Sequence, residues 1–201
     1  CLMRIVFATS EANPYIKSGG LADVLGSLPK ALVQKGHECI VVLPKYQDMK
    51  LADTLEYVTN YDIWVGWRKC YCGVFKAEYD GVTYYFIDNE QYFRRPGLYG
   101  YDDDNERFAY FDFAVLELLS HIDIKPDILH LHDWQTAMIT TLYKERYAYY
   151  EYYQGIKIVF TIHNIAYQGK CDPALLSDHF GLDNYLYYNG NCRNDGCFNM
   201  M

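Results

Sequence analysis

A chain of 201 residues fits one large domain or two small ones. With 51% apolar and 22% charged residues it can bury a core, which excludes an intrinsically disordered chain. A net charge of −8 excludes a broad nucleic-acid or anionic-membrane surface, while leaving room for a small anionic ligand held by one lysine. No stretch approaches the roughly 18 apolar residues of a transmembrane helix. The opening CLMRIVFATSEA is interrupted too soon to be a signal peptide, and Met3 is a candidate natural start. The seven cysteines are odd in number and contain no C-x-x-C pair. They are expected to be reduced thiols of a cytoplasmic protein, not a disulfide framework or a zinc site. The 22 tyrosines suit sugar-face packing but fill cores equally well, so their number alone is a weak signal.

In chain order, RIVFAT (4–9) is a short β-branched apolar run and reads as a buried parallel strand. Leu21, Val24, Leu25, Leu28 and Leu32 then recur at helical spacing. Pro29 falls inside that pattern and predicts a kink, or a restart capped by Ser27. Gly36 is the expected stop, and ECIVVLP (38–44) a second buried strand. Residues 55–88 are rich in Tyr, Val, Trp and Thr, with Asp80-Gly81 as a hairpin signal; an antiparallel insertion or sheet edge is expected there. Cys70 and Cys72, two apart, are expected on one sheet face. A loop at 89–104, punctuated by Pro96, Gly97 and Gly100, leads into an amphipathic helix whose face carries Phe108, Phe111, Ala114, Val115, Leu118 and Leu119. A strand at 126–133, a helix at 134–147, a strand at 156–164 and a short helix at 172–182 follow. Alternating β and α predicts an α/β fold: a Rossmann-like, mostly parallel sheet with helices on both faces and a β-hairpin insertion.

Ligands of open α/β sheets bind beyond the carboxyl ends of the strands, and three such ends here are rich in polar residues. In PYIKSGGLADVLG (14–26), Gly19 and Gly20 allow backbone conformations that residues with a Cβ resist and let a ligand approach the main chain closely, the following helix offers free N–H groups, and Lys17 adds a charge. Together they could cradle a phosphate, although neither common nucleotide fingerprint is present; the alternative is a plain tight turn with a solvated lysine. In HLHDWQTA (130–137), Asp133 either serves a ligand or caps the helix. His130, His132, Asp133 and His163 are metal-ligand types, but their spacing fits no strong metal motif. In TIHNIAYQG (161–169), His163 and Asn164 follow a strand; either contacts a ligand or holds the loop. No G-x-S-x-G elbow and no paired-carboxylate pattern is present, which disfavours hydrolase chemistry.

Four segments taken together, KSGGLADVLGSLPKALVQKGHE, DNERFAYFDFAVLELL, KPDILHLHDWQTA and VFTIHNIAYQG, resemble the N-terminal half of bacterial glycogen synthase and plant starch synthase, from Arg4 to the tail. These are retaining glycosyltransferases (family GT5) of the two-domain GT-B fold. Ser18 stands in an accepted variant of the first motif, and the tail NYLYYNGNCRNDGCFNMM is more divergent. The resemblance implies glucosyl transfer from ADP-glucose to the 4-OH end of an α-1,4-glucan, without metal or other cofactor. It also implies that Lys17, Gly19 and Gly20 face the diphosphate and donor sugar. It implies catalytic roles for Asp23 and Asp133, which help organise the sugar site, and for His163, which lies near the transferred glucose and bonds its hydroxyl or stabilises the transition state, while Asn164 binds substrate and Tyr99 belongs to the active-site loop. Negative charge builds on the departing nucleotide, so a positive group aimed there contributes most in the transition state. The resemblance further implies a single acceptor-side domain over residues 1–201. Its partner, a C-terminal nucleotide-binding domain, is not in this chain, so the chain alone is expected to be nearly inactive. Rival expectations are a non-catalytic glucan- or sugar-nucleotide-binding module, or a nucleotide-binding regulator.

Overall fold

The computed structural model describes residues 1–201. The first strand, β1 (Arg4–Ala8), is buried along almost its whole length, as is β2 (Glu38–Pro44) after its first residue. Side chains alternate across a strand, so continuous burial requires cover on both faces of the sheet. The helix between them, α1 (Gly20–Gln34), packs on β2. It is continuous, and the expected restart at Ser27 does not occur. The Ser27 hydroxyl instead donates to the carbonyl of Asp23 at 2.9 Å, a back-bond within the helix. Pro29 is accommodated in the interior, and Gly36, at φ 96°, ends the helix as expected.

Two further strands, β3 (Glu56–Val65) and β4 (Arg68–Tyr79), form an antiparallel ribbon. Asp80 and Gly81, both at positive φ (53° and 78°), turn the chain into β5 (Val82–Asp88). The antiparallel expectation holds for β3 and β4. The hairpin expected at Asp80-Gly81 joins β4 antiparallel to β5, which also pairs parallel with β2 on its other side. After a single turn, α2 (Glu90–Phe93), comes α3 (Asp104–His121), which is buried on nearly every side and not on one face alone. It packs against β3 and α4 (Trp134–Leu142), and two packed sides leave no room for a polar face. Strands β6 (Ile128–His132) and β7 (Lys157–Thr161) complete a seven-stranded sheet of order β3-β4-β5-β2-β1-β6-β7, parallel from β5 to β7. Helix α4 passes at Leu142 directly into a π-helical turn over Tyr143–Tyr147, so the chain is helical over the expected span 134–147.

The last 40 residues hold less regular structure than the strand and helix patterns suggest. Strands β8 (Lys170–Cys171), β9 (Arg193–Asn194) and β10 (Cys197–Asn199) make a small antiparallel sheet around α5 (Leu175–Asp178) and α6 (Tyr185–Tyr188). The helix expected over 172–182 is thus one turn long. Cys72 is buried and Cys70 partly so, on one side of β4, while Tyr71 between them is exposed.

Candidate functional site

The chain leaves β1 towards β2 on one side, and β6 lies on the other. The sheet therefore has its topological switch point between β1 and β6, where a crevice opens beyond the carboxyl ends. A cleft of about 900 Å3 lies there, lined by Glu11, Gly19, Gly20, Tyr99, Asp133, Trp134, Gln135, His163, Asn164 and Tyr167 among others. Six of the eight residues singled out in the sequence line it: Gly19, Gly20, Tyr99, Asp133, His163 and Asn164.

The other two, Lys17 and Asp23, do not. The Lys17 ammonium reaches the Asp23 carboxylate at 2.7 and 2.8 Å, with both side chains about half exposed. That bond from Lys17, with a second from Asn13, holds the Asp23 carboxyl below its ordinary range. The lysine expected to face the diphosphate is therefore paired with the aspartate expected to organise the sugar. An exposed pair of this kind is weak and screened by salt, so an arriving anion can compete for the lysine.

The amide cradle differs more sharply from expectation. Glu11, which belongs to none of the sequence motifs, is 2% exposed and points its carboxylate into the turn before α1. It accepts from the amides of Gly19 (3.0 Å) and Ala22 (3.3 Å), from the Ser18 hydroxyl (2.5 Å) and from the Tyr99 hydroxyl (2.7 Å). The protein's own anion thus occupies part of the site expected to take a phosphate. A carboxylate three residues past a buried strand is a visible signal, but the same pattern fits a solvated loop glutamate. The amides of Gly20 and Leu21 have no acceptor within the chain, and they face the cleft.

The two glycines are not demanded by the backbone or by packing. Gly19 is extended (φ −158°), a conformation open to any residue. A Cβ at either position would meet no protein atom within 4 Å. The expectation that they permit special backbone conformations fails; what remains is open space beside free N–H groups, where only a ligand would feel an added methyl.

Tyr99 sits on the loop before α3. Arg107, fully buried, anchors that loop: it donates to the carbonyls of Tyr92 (2.6 Å) and Leu98 (3.0 Å) and pairs with Asp104 (2.8 Å). Because the Tyr99 hydroxyl donates to Glu11, its 2.6 Å bond with Ser10 takes the serine as donor. Burial pushes the Tyr99 phenol well up, so it stays protonated. Its hydroxyl is thus engaged within the protein, and the ring is what the cleft meets.

Asp133 does not cap α4 with its side chain. Its carboxylate accepts the backbone N–H of His163 at 2.7 Å and of Asn164 at 3.3 Å, clamping the loop after β7 to the end of β6. Asn164 accepts from the amide of Ala166 at 3.0 Å, which is the loop-holding alternative for this residue. His132 Nδ1 lies 2.8 Å from His163 Nε2, and His130 Nε2 2.7 Å from the Thr161 hydroxyl. Burial, then its two histidine neighbours, push His132 down to about 2. Gln135, also unforeseen, lines the cleft with a buried, unpartnered Oε1.

An open sheet with its crevice at the switch point, walled by strand-end loops and a pair of unhindered glycines, defines a doubly wound α/β ligand-binding domain. Residues 4–201 match the family model described as the starch synthase catalytic domain, and the chain belongs to that family. It is 49% identical over 201 residues to the glycogen synthase of Clostridium kluyveri, covering 99% of this chain and 42% of that protein. It is 51% identical over 196 residues to the glycogen synthase of Clostridium botulinum strain Alaska E43, covering 96% and 41%. The catalytic domain of starch synthase IV from Arabidopsis thaliana, solved bound to ADP and acarbose, superposes with a TM-score of 0.91 at 33% identity, covering all of this chain and 42% of that one. This chain thus spans about two fifths of the length of these relatives, and its mixed α/β sheet is that of the GT-B starch synthase fold. No helix is long and apolar enough to cross a membrane.

Proposed function

We propose that the full-length protein is a glycogen or starch synthase, moving glucose from ADP-glucose to the non-reducing end of an α-1,4-glucan with retention and without a metal. In this reading the chain is the acceptor-side wall of a cleft, and a second, nucleotide-binding domain forms the opposite wall. The observation that carries it is the open pocket at Gly19–Gly20, where the protein leaves room that it does not need itself. The Gly20 and Leu21 amides receive the donor's diphosphate, and Lys17 leaves Asp23 to pair with it. Glu11 keeps the turn rigid, and by its negative charge sets how deep the diphosphate sits. The Tyr99 ring packs on a sugar face, and the His163 and Asn164 side chains bond its hydroxyls. Asp133 holds those two in place, and Asp23 takes part through Lys17. The bound molecules of the Arabidopsis protein, a nucleotide and an oligosaccharide analogue, agree in class with these ligands.

The test is glucose incorporation into a glycogen primer by the full-length protein, supplied in turn with ADP-glucose and UDP-glucose. Primer-dependent elongation with ADP-glucose preferred supports the reading. Tight binding of glucan or nucleotide sugar without transfer would replace it with the non-catalytic module.

A further inference from the structure

His132 is the last residue of β6 and is wholly buried. Its ring lies between that of His130, with centroids 4.2 Å apart, and the stacked ring of His163 at 5.1 Å. Nδ1 shares a 2.8 Å hydrogen bond with His163 Nε2. The other nitrogen, Nε2, is buried with no partner. Its backbone is fixed as well, since the Thr136 hydroxyl accepts from the His132 amide and donates to its carbonyl, both at 2.8 Å.

This ring is neutral, because burial and two neighbouring imidazoles oppose a charge. A neutral imidazole carries a single N–H. Placed on Nε2, that N–H would be a buried donor without an acceptor, the arrangement proteins avoid most consistently. Placed on Nδ1, it donates to His163 Nε2 and leaves on Nε2 only a buried lone pair without a partner. The bond then makes His163 Nε2 an acceptor, so a neutral His163 carries its own proton on Nδ1. No protein group bonds that Nδ1, and His163 lines the cleft.

We infer that His132 is a positioning residue: by donating from Nδ1 it fixes the tautomer and ring orientation of His163, which presents an Nδ1–H donor to the ligand in the cleft. Asp133 fixes the His163 backbone from the adjacent position, so consecutive residues set the main chain and the ring of one cleft histidine. The tautomer assignment is independent of what the cleft binds; its consequence for turnover rests on the glucosyl-transfer reading.

Two measurements on the full-length protein decide this. Long-range 1H–15N correlation on histidine-labelled wild-type protein is expected to show His163 and His132 both protonated at Nδ1, with pyridine-type Nε2 nitrogens. A proton on His163 Nε2 overturns the inference, whatever the enzyme turns out to catalyse. Kinetics supply the second arm. His132→Leu, which keeps bulk and removes the donor, is expected to lower kcat by about 10- to 100-fold, the scale for losing a group that orients a functional imidazole. KM for the donor should change less. His132→Asn, whose amide nitrogen stands where Nδ1 was, should recover most of that loss. Equal kcat values for wild type and His132→Leu would also overturn it. Should His132→Leu fail to fold, the wild-type spectrum alone decides between the two tautomers.

Discussion

The carboxylate of Asp133 accepts the backbone N–H of His163 at 2.7 Å, so the residue that ends one strand sets the loop that follows the next. Asp133 does this from φ 59°, ψ −177°, a region that is nearly glycine-only and costs about 1–3 kcal/mol for other residues.

That strain makes a prediction about order. Asp133→Gly loses the clamp but relieves the backbone, whereas Asp133→Ala loses the clamp and keeps the strain. The glycine variant should be the more stable by about 1 kcal/mol, read as a denaturant midpoint. Both should lose most transfer activity. An alanine variant as stable as the glycine variant would show that the backbone at 133 is relaxed.

Arg107 is the second candidate for a large effect. It is fully buried, bonds the carbonyls of Tyr92 in α2 and of Leu98 in the loop, and pairs with Asp104. Arg107→Ala should destabilise by about 3–5 kcal/mol, the usual result of stripping one partner from a buried network. The loop carrying Tyr99 should become the first region to exchange amide hydrogens. Unchanged protection over 94–103 would rule out Arg107 as the anchor of that loop.

Asp112 is buried within α3 with neither carboxyl oxygen partnered, and burial pushes its pKa well above the ordinary range. The native state keeps this proton while the unfolded state loses it above about pH 4. Stability contributed by this group is therefore present at low pH and falls as pH rises. Asp112→Asn should raise the thermal midpoint more at pH 8 than at pH 5. An increment independent of pH would mean that the carboxyl finds a partner.

His132 acts in the opposite sense. Its native pKa is pushed down to about 2, so only the unfolded state takes up a proton below its ordinary value near 6.5. The unfolded state then binds more protons, and stability is lost as pH falls from that value, by about 1.4 kcal/mol per pH unit from this residue. His130 is shifted in the same direction. The acid limb of a stability profile between pH 6 and 4 should be less steep in His132→Asn than in wild type. Equal slopes would contradict a neutral buried His132.

The sheet was legible in the sequence because β1, β2 and β6 are short apolar runs bounded by polar turns, the pattern of parallel strands covered on both faces; β7 carries a similar run although it is an edge strand with no buried residue. Five cleft residues, Gly19, Gly20, Asp133, His163 and Asn164, were legible because strand ends are where such sheets bind, and Tyr99 only through the family resemblance. Partnership was not. Glu11 looks like any loop glutamate until Tyr99, some 88 residues away, is brought onto it. Lys17 looks free until α1 turns Asp23 towards it. Helix α3 shows one apolar face, and its local sequence cannot say that a second side is covered by α4. The continuity of α1 through Pro29 is likewise decided by the packing of that buried proline and not by helix propensity.

In the glucosyl-transfer reading proposed above, donor binding depends most on the space beside Gly20. Alanine there enters the first turn of α1 with no protein atom within 4 Å of its Cβ, and glycine-to-alanine at a compatible helical position stabilises by about 0.4–1 kcal/mol. The decisive measurement is glucose transfer from ADP-glucose to glycogen by full-length Gly20→Ala, with its thermal midpoint recorded on the same sample. The expected result is a midpoint equal to or above wild type, with transfer reduced by about 10-fold or more through a raised KM for the donor. Wild-type transfer from the stable variant would contradict it, because the open space at Gly20 would then not be where the donor lies.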